Sequence, residues 1–118
     1  MTRILVVDDE ESIRLLLQDV LGTNGYECQG VGSAHEALEK VESSDYDLLI
    51  IDENMPIMTG SQAIVRLRSN PKHRDLQILM CTGRPPEKNM GVNGYIPKPI
   101  DLQGLIDIVG RTLSLRPA

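Results

Sequence analysis

The sequence contains no tryptophan and no phenylalanine, and only three tyrosines. Any core it builds must therefore be aliphatic, made of Leu, Ile, Val and Met. At 41% apolar residues in a chain of 118, there is enough of this material for one domain of ordinary size. Positive charge is also scarce: 12 Lys and Arg stand against 17 Asp and Glu, for a net charge of −5. A nucleic-acid surface is normally basic, so that class of partner is disfavoured, whereas divalent cations are not. Two cysteines, Cys28 and Cys81, are too few for a disulfide framework and read as free, buried thiols. No apolar run exceeds a few residues, which leaves nothing long enough to insert into a membrane as a helix. The opening MTRILVVDD lacks the layout of a signal peptide. A cytoplasmic location is the expectation, and Met1, directly before the first strand, reads as a true start. No Gly-rich loop follows the first apolar run, which disfavours a nucleotide-binding fold.

What the chain does contain is alternation. Short apolar runs at 3–7, 27–31, 46–51, 76–81 and 95–96 read as strands. Between them lie stretches of helical spacing. One is 12–21, with Ile13, Leu16, Leu17, Val20 and Leu21 on one face and Gly22 and Gly25 as breakers. Ser33 and Glu36 have capping-box spacing and open a second helix to about Val41. A third spans 61–69, and a last one, capped by Asp101, runs to about Leu113. Strands alternating with helices predict a parallel sheet covered on both faces, and near-continuous apolar strands agree with that. Five units with right-handed crossovers give the smaller doubly wound, flavodoxin-like sheet of five parallel strands, order 2-1-3-4-5. One unit is incomplete. Pro85-Pro86 and Gly91 leave only residues 87–90 for a fourth helix, where an average helix needs roughly 11. That helix is expected to be shortened or irregular, and residues 84–93 to be the most mobile segment.

In such sheets ligands bind beyond the carboxyl ends of the strands, where strand order reverses. The first strand runs into Asp8, Asp9 and Glu10, and the third ends LLIID at Asp52. The fourth is followed by Thr82 and Gly83, the fifth by Lys98 and Pro99. Strands one and three are neighbours in this order, so Asp8, Asp9 and Asp52 should converge, with Thr82 and Lys98 on their flank. Three carboxylates in a partly desolvated pocket repel one another, and a hard cation such as Mg²⁺ would offset this. A cation beside a carboxylate, a lysine and a hydroxyl has the makings of a phosphoryl-handling site, in which the carboxylate can be the nucleophile. Singly, each residue has a plainer reading: turn residues for Asp8 and Asp9, a cap for Asp52, a strand-end hydroxyl for Thr82, a solvated surface lysine for Lys98. The specificity lies in the set, because every member falls at a strand's carboxyl end.

VVDDE at 6–10, DENMPIMTG at 52–60, CTG at 81–83 and KP at 98–99 resemble, in that order, the pattern of response-regulator receiver domains of bacterial two-component signalling. The resemblance covers nearly the whole chain. It implies that Asp52 is the phospho-accepting aspartate and that the phosphoryl group comes from a sensor histidine kinase or phosphotransfer protein. It implies Mg²⁺ as cofactor, bound directly by Asp9, through water by Asp8, and by Asp52 and the backbone carbonyl of Asn54. Lys98 would pair with the phosphoryl group, and its bond to Pro99 is typically cis in the family. Thr82 would be the switch hydroxyl and Tyr95 the aromatic that moves with it. Asn54 and Arg84 would tune the admission of water, while Pro56, Gly60 and Gly83 shape the surrounding loops. The expected unit is a single-domain regulator spanning 1–118, although SLRPA after the last helix equally fits a receiver cut from a larger chain.

The alternative is a protein-interaction module of the same fold that works without phosphorylation. A phosphohydrolase with an aspartyl nucleophile fits less well, because Asn54 stands where a second acid is expected. His35 reads as a surface helix residue. Arg66, Arg68, Lys72, His73 and Arg74 cluster at the end of the third helix, as a solvated helix end or a contact for an acidic partner.

Overall fold

The computed structural model describes residues 1–86, 88 and 90–115. Five parallel strands, β1 (Arg3–Val7), β2 (Glu27–Val31), β3 (Leu48–Asp52), β4 (Gln77–Thr82) and β5 (Gly94–Pro97), form one sheet in the order β2-β1-β3-β4-β5. The helices are α1 (Glu11–Thr23), α2 (Ala34–Ser43), α3 (Gly60–Arg68) and α4 (Leu102–Ser114), with one 3-10 turn at Pro71–His73. Among the described residues no helix lies between β4 and β5, so the expected shortening of that element is carried to its limit. The segment expected to be mobile, 84–93, includes Glu87 and Asn89, which lie outside the described residues.

The apolar strands explain the layering. Successive side chains point to opposite faces, and both faces are covered. Leu5, Val7, Leu49, Ile51, Ile78 and Met80 pack with Ala37, Val41, Ile64 and Leu67 of α2 and α3. Ile4, Val6, Leu48, Ile50, Leu79 and Cys81 pack with Leu17, Leu21, Leu105 and Val109 of α1 and α4. Every residue of β3 is buried. Each such aliphatic side chain contributes roughly 1.5–3 kcal/mol of burial, so the core holds without an aromatic residue. Both thiols are free; burial pushes Cys28 up to about 11 and Cys81 up to about 12.

Several element boundaries differ from expectation for local reasons. β3 begins at Leu48, because Tyr46 lies flat under the Arg3 guanidinium, 4.8 Å away, and its hydroxyl donates to Gln29 at 2.6 Å. α1 continues through Gly22 to Thr23, since Leu21 is fully buried and the chain turns only at Gly25, at φ 93°. Ser33 accepts from the Glu36 amide at 3.2 Å. The reciprocal capping box forms at α3 instead: Thr59 Oγ1 accepts from the Gln62 amide, and Gln62 Oε1 accepts from the Thr59 amide. Asp101 caps α4 as expected, accepting from Gly104 N at 3.1 Å.

Two junctions are pinned by side-chain bonds. Arg68 at the end of α3 ties the last part of the β4–β5 connection to the helix. Its Nε donates to Gly91 O at 2.6 Å, Nη1 to His73 O at 3.0 Å and Nη2 to Asn93 Oδ1 at 3.3 Å. Asn93 Oδ1 also accepts from Ile78 N, extending the β4 edge. At the end of α2, Glu42 bonds the buried His73 at 2.7 Å and Lys72 at 3.3 Å. These bonds, His73 first and Lys72 second, hold the Glu42 carboxyl below its ordinary range.

The loop from β3 to α3 is tightly folded. Glu53 N donates to Cys81 O, Gly60 N donates to Glu53 O, and the Glu53 carboxylate accepts from Ser61 N and Oγ. Gly60 sits so close to the strand end that a Cβ there would lie 2.5 Å from Asp52 O. Met58 N donates to Pro56 O at 2.8 Å and closes a three-residue turn around Ile57, at φ 72°. A β-branched residue in that conformation is strained, and this one leaves its side chain 92% exposed.

Three outcomes are expected. Glu42→Gln should lower the thermal midpoint at neutral pH. A carboxyl whose folded-state pKa is depressed stabilises fully above its unfolded value and ceases to do so as pH falls through the folded value. The gap from wild type should therefore close in melts run below the ordinary glutamate range. Gly60→Ala should cost about 1–3 kcal/mol in denaturant unfolding, because the new methyl meets backbone that cannot give way. Ile57→Gly should not lower the midpoint: relief of about 1–2 kcal/mol of left-handed strain exceeds the roughly 0.5–1 kcal/mol entropic cost of glycine.

Candidate functional site

The pairing of β1 with β3, Val7 opposite Ile51, sets the residues that follow side by side. As a result, carboxylate oxygens of Asp8, Asp9 and Asp52 all lie within 4.8 Å of one another. Asp8 and Asp52 are each 4% exposed, whereas Asp9 faces solvent. Asp8 Oδ1 accepts from the Glu10 amide at 2.9 Å, which turns the chain into α1. On the other flank, β5 pairs with β4 so that Pro97 lies opposite Thr82, and Lys98 N donates to Thr82 O at 3.2 Å. Lys98 then extends its ammonium to Asp52 Oδ1 at 2.5 Å, and the Lys98–Pro99 bond is cis. Asn54 N donates to the same Oδ1 at 3.3 Å.

The electrostatics follow from this convergence. Burial raises the Asp8 carboxyl above its ordinary value, against the Glu10 amide bond that lowers it; the Asp52 and Asp9 charges add to the rise. Burial works against the charge on Lys98, but the bond to Asp52 and the fields of Asp52 and Asp8 outweigh it, and the net shift is upward. Three carboxylates are hard oxygen donors, a set that suits Mg²⁺. Their mutual repulsion is the physical reason a cation fits there.

The remaining expected residues are distributed around this centre. Thr82 is buried at the end of β4, and its hydroxyl is engaged by the main chain of Arg84, donating to Arg84 O and accepting from Arg84 N, both at 3.2 Å. The Arg84 residue itself is exposed, as are Asn54, Pro56, Gly83 and Pro99. Tyr95 packs against the α2/α3 core, and its buried hydroxyl has no hydrogen-bond partner among the described residues.

Two contributors escaped sequence reasoning. Arg14, on the first turns of α1, donates to Asp8 O at 2.9 Å and so holds the β1–α1 corner. Glu53, beside Asp52, fastens the loop to α3 through Ser61. The Thr59–Gln62 spacing was a legible signal for the start of α3; nothing in sequence distinguishes Arg14 from a solvated helix residue. Beside Asp8 and Lys98 opens a groove of about 450 Å³ with mainly apolar walls, among them Ile13, Leu16, Ile100 and Leu102.

Comparison with known proteins agrees with this geometry. The family model described as response regulator receiver domain matches residues 4–110. The chain is 36% identical to the response regulator MprA of Mycobacterium ulcerans over 110 residues, 88% of this chain and 47% of that protein. It is 36% identical to the autoinducer sensor kinase/phosphatase CqsS of Vibrio cholerae over 115 residues, 91% of this chain and 17% of that one. It thus spans about half the length of the MprA proteins and a smaller share of CqsS. Among solved structures, the chemotaxis response regulator CheY4 of Vibrio cholerae superposes with a TM-score of 0.88 at 33% identity, covering 95% of this chain and 98% of that one. The response regulator TrrA of Thermotoga maritima, solved in complex with Mg²⁺-BeF, gives 0.86 at 34% identity, covering 95% and 99%. The chain belongs to the response regulator receiver domain family of two-component signalling.

Proposed function

We propose that this receiver accepts a phosphoryl group on Asp52 from a phosphohistidine of a sensor histidine kinase or phosphotransfer protein. The observation that carries this reading is the ammonium of Lys98 on one oxygen of a buried aspartate that has two further carboxylates beside it. Asp8, Asp9, Asp52 and the backbone carbonyl of Asn54 would hold Mg²⁺. Bound there, the cation would neutralise the acidic cluster and the oxygens of the transferring group.

The chain's own groups do the positioning. Lys98 and Asn54 N both bond Oδ1 of Asp52, so Oδ2 takes neither bond and is the nucleophilic oxygen. Oδ2 attacks phosphorus, an O–P bond forms, and the N–P bond of the donor breaks. The bonding pair leaves with the imidazole nitrogen, which is then protonated. The product is a mixed anhydride that water later hydrolyses, returning the carboxylate and inorganic phosphate. Lys98 is placed to follow the charge from carboxylate to phosphoryl oxygens. The apolar groove beside Asp8 and Lys98 offers a place for the donor's helix surface.

The switch is read the same way. The Thr82 hydroxyl must leave the Arg84 main chain to reach a phosphoryl oxygen, and Asn54 and Arg84 tune how an attacking water is admitted. Tyr95 buries a hydroxyl without a partner among the described residues, an arrangement that costs about 1–3 kcal/mol. That penalty keeps its inward position from being overwhelmingly favoured, as a residue that shifts between two states requires.

The reading is tested by intact mass after incubation with Mg²⁺ and acetyl phosphate. One added phosphoryl group is expected, absent from Asp52→Asn and absent without Mg²⁺. No adduct, together with no Mg²⁺ binding, would favour the phosphorylation-independent interaction module.

A further inference from the structure

Residues 60–74, GSQAIVRLRSNPKHR, contain Arg66, Arg68, Lys72 and Arg74 and neither Asp nor Glu, in a chain whose net charge is −5. The charges in this segment are unequally compensated. Lys72 faces Glu42, and Arg74 lies 4.0 Å from Asp75. The guanidinium of Arg68 is bonded to main-chain carbonyls and an amide oxygen, which satisfy its donors and leave its charge. Arg66 is exposed and forms no salt bridge among the described residues.

Arg66 also lines a groove of about 370 Å³ with His35 of α2, Gln62 of α3, and Met58 and Ile57 of the preceding loop. Val65, on the same helix, is 59% exposed. Ile57 is the notable member. It is strained at φ 72° and 92% exposed, so it weakens the fold without burying its side chain in return. An apolar tip beside an unpaired cation matches a ligand that is apolar at one point and anionic around it. An extended polyanion such as DNA would carry its charge across the acidic remainder of the molecule as well as over Arg66, which a short segment need not do, and it offers nothing for the isoleucine.

We propose that this groove docks an acidic protein segment, which sets an aliphatic or aromatic side chain against Ile57 and a carboxylate on Arg66. All elements of the groove are in place with Asp52 unmodified. Its charge sign separates it from the groove beside Lys98, where Asp8 and Glu10 lie on the wall.

The test is a titration of the ¹⁵N-labelled full chain with a short synthetic peptide of glutamates around one central leucine, followed by amide shifts. Three probes serve as controls: the same peptide with lysines for glutamates, the same with alanine for leucine, and a single-stranded oligonucleotide. Shifts are expected at Ile57, Met58, Gln62, Val65 and Arg66 with the acidic leucine peptide alone. Ile57→Gly and Arg66→Glu should each weaken binding by about tenfold or more, as loss of a central anchor does. Thermal melts of both variants separate lost binding from lost fold. The proposal is overturned by any of four results: no shifts at about 1 mM peptide; shifts confined to the groove beside Lys98; equal binding of the lysine peptide or the oligonucleotide; or full binding by Ile57→Gly. Shifts at these amides on concentrating the protein alone would also overturn it, assigning the face to a second copy, whose α1 presents Glu11 with the exposed Leu15 and Leu16, next to Glu10 at its N-cap.

Discussion

Three carboxylates drawn into one small space would drive themselves apart, and much of this structure serves to hold them together. The parallel pairing of β1 and β3 fixes the two strand ends beside each other. Main-chain amides from Glu10 and Asn54 bind the carboxylate oxygens. Lys98, carried in by the edge strand, adds the one full positive charge in direct contact. Remove the register and the acids separate; remove the lysine and the repulsion is uncompensated. The aliphatic core on both faces of the sheet is what makes the register rigid enough to sustain this arrangement.

Much of this was legible in the sequence, and the reasons are specific. LLII before Asp52 has no polar interruption because both of its faces are covered, so strand and site could be read from the same five residues. The order of strands followed from length and alternation, and the order brought Asp8, Asp9, Asp52 and Lys98 together. What remained hidden was decided by long-range contacts. Tyr46 looks like strand by composition, yet a guanidinium from β1 captures its ring. Arg14 looks like a solvated helix residue, yet it reaches back to the carbonyl of Asp8. The hydroxyl of Thr82 was placeable at the strand end, but not its pairing with the Arg84 main chain, which depends on how the following bend is formed.

The surroundings of the site divide into stiff and loosely held parts. The β3–α3 loop is fastened at Glu53 and Gly60 and carries its strain outward to Ile57. The β4 end is held by a hydroxyl bonded to a neighbouring residue two positions on, a local contact that can be exchanged without disturbing the core. Tyr95 sits between these regimes, packed against apolar neighbours with its oxygen unmatched. The contacts that exchange most easily are thus side-chain hydroxyls at the strand ends, while the sheet itself is fixed by its buried pairing.

The connection between β4 and β5 shows a different economy. A helix spreads its order over repeating bonds and a packed apolar face. Here a single guanidinium, rooted in α3, gathers Gly91, His73 and Asn93 into one knot. Order that is elsewhere distributed over many residues is concentrated here on this side chain together with the paired bonds between Asn93 and Ile78. The edge strand is thus held twice, by its pairing with β4 and, through Arg68, by the end of α3, which ties that helix end to the strand leading into Lys98.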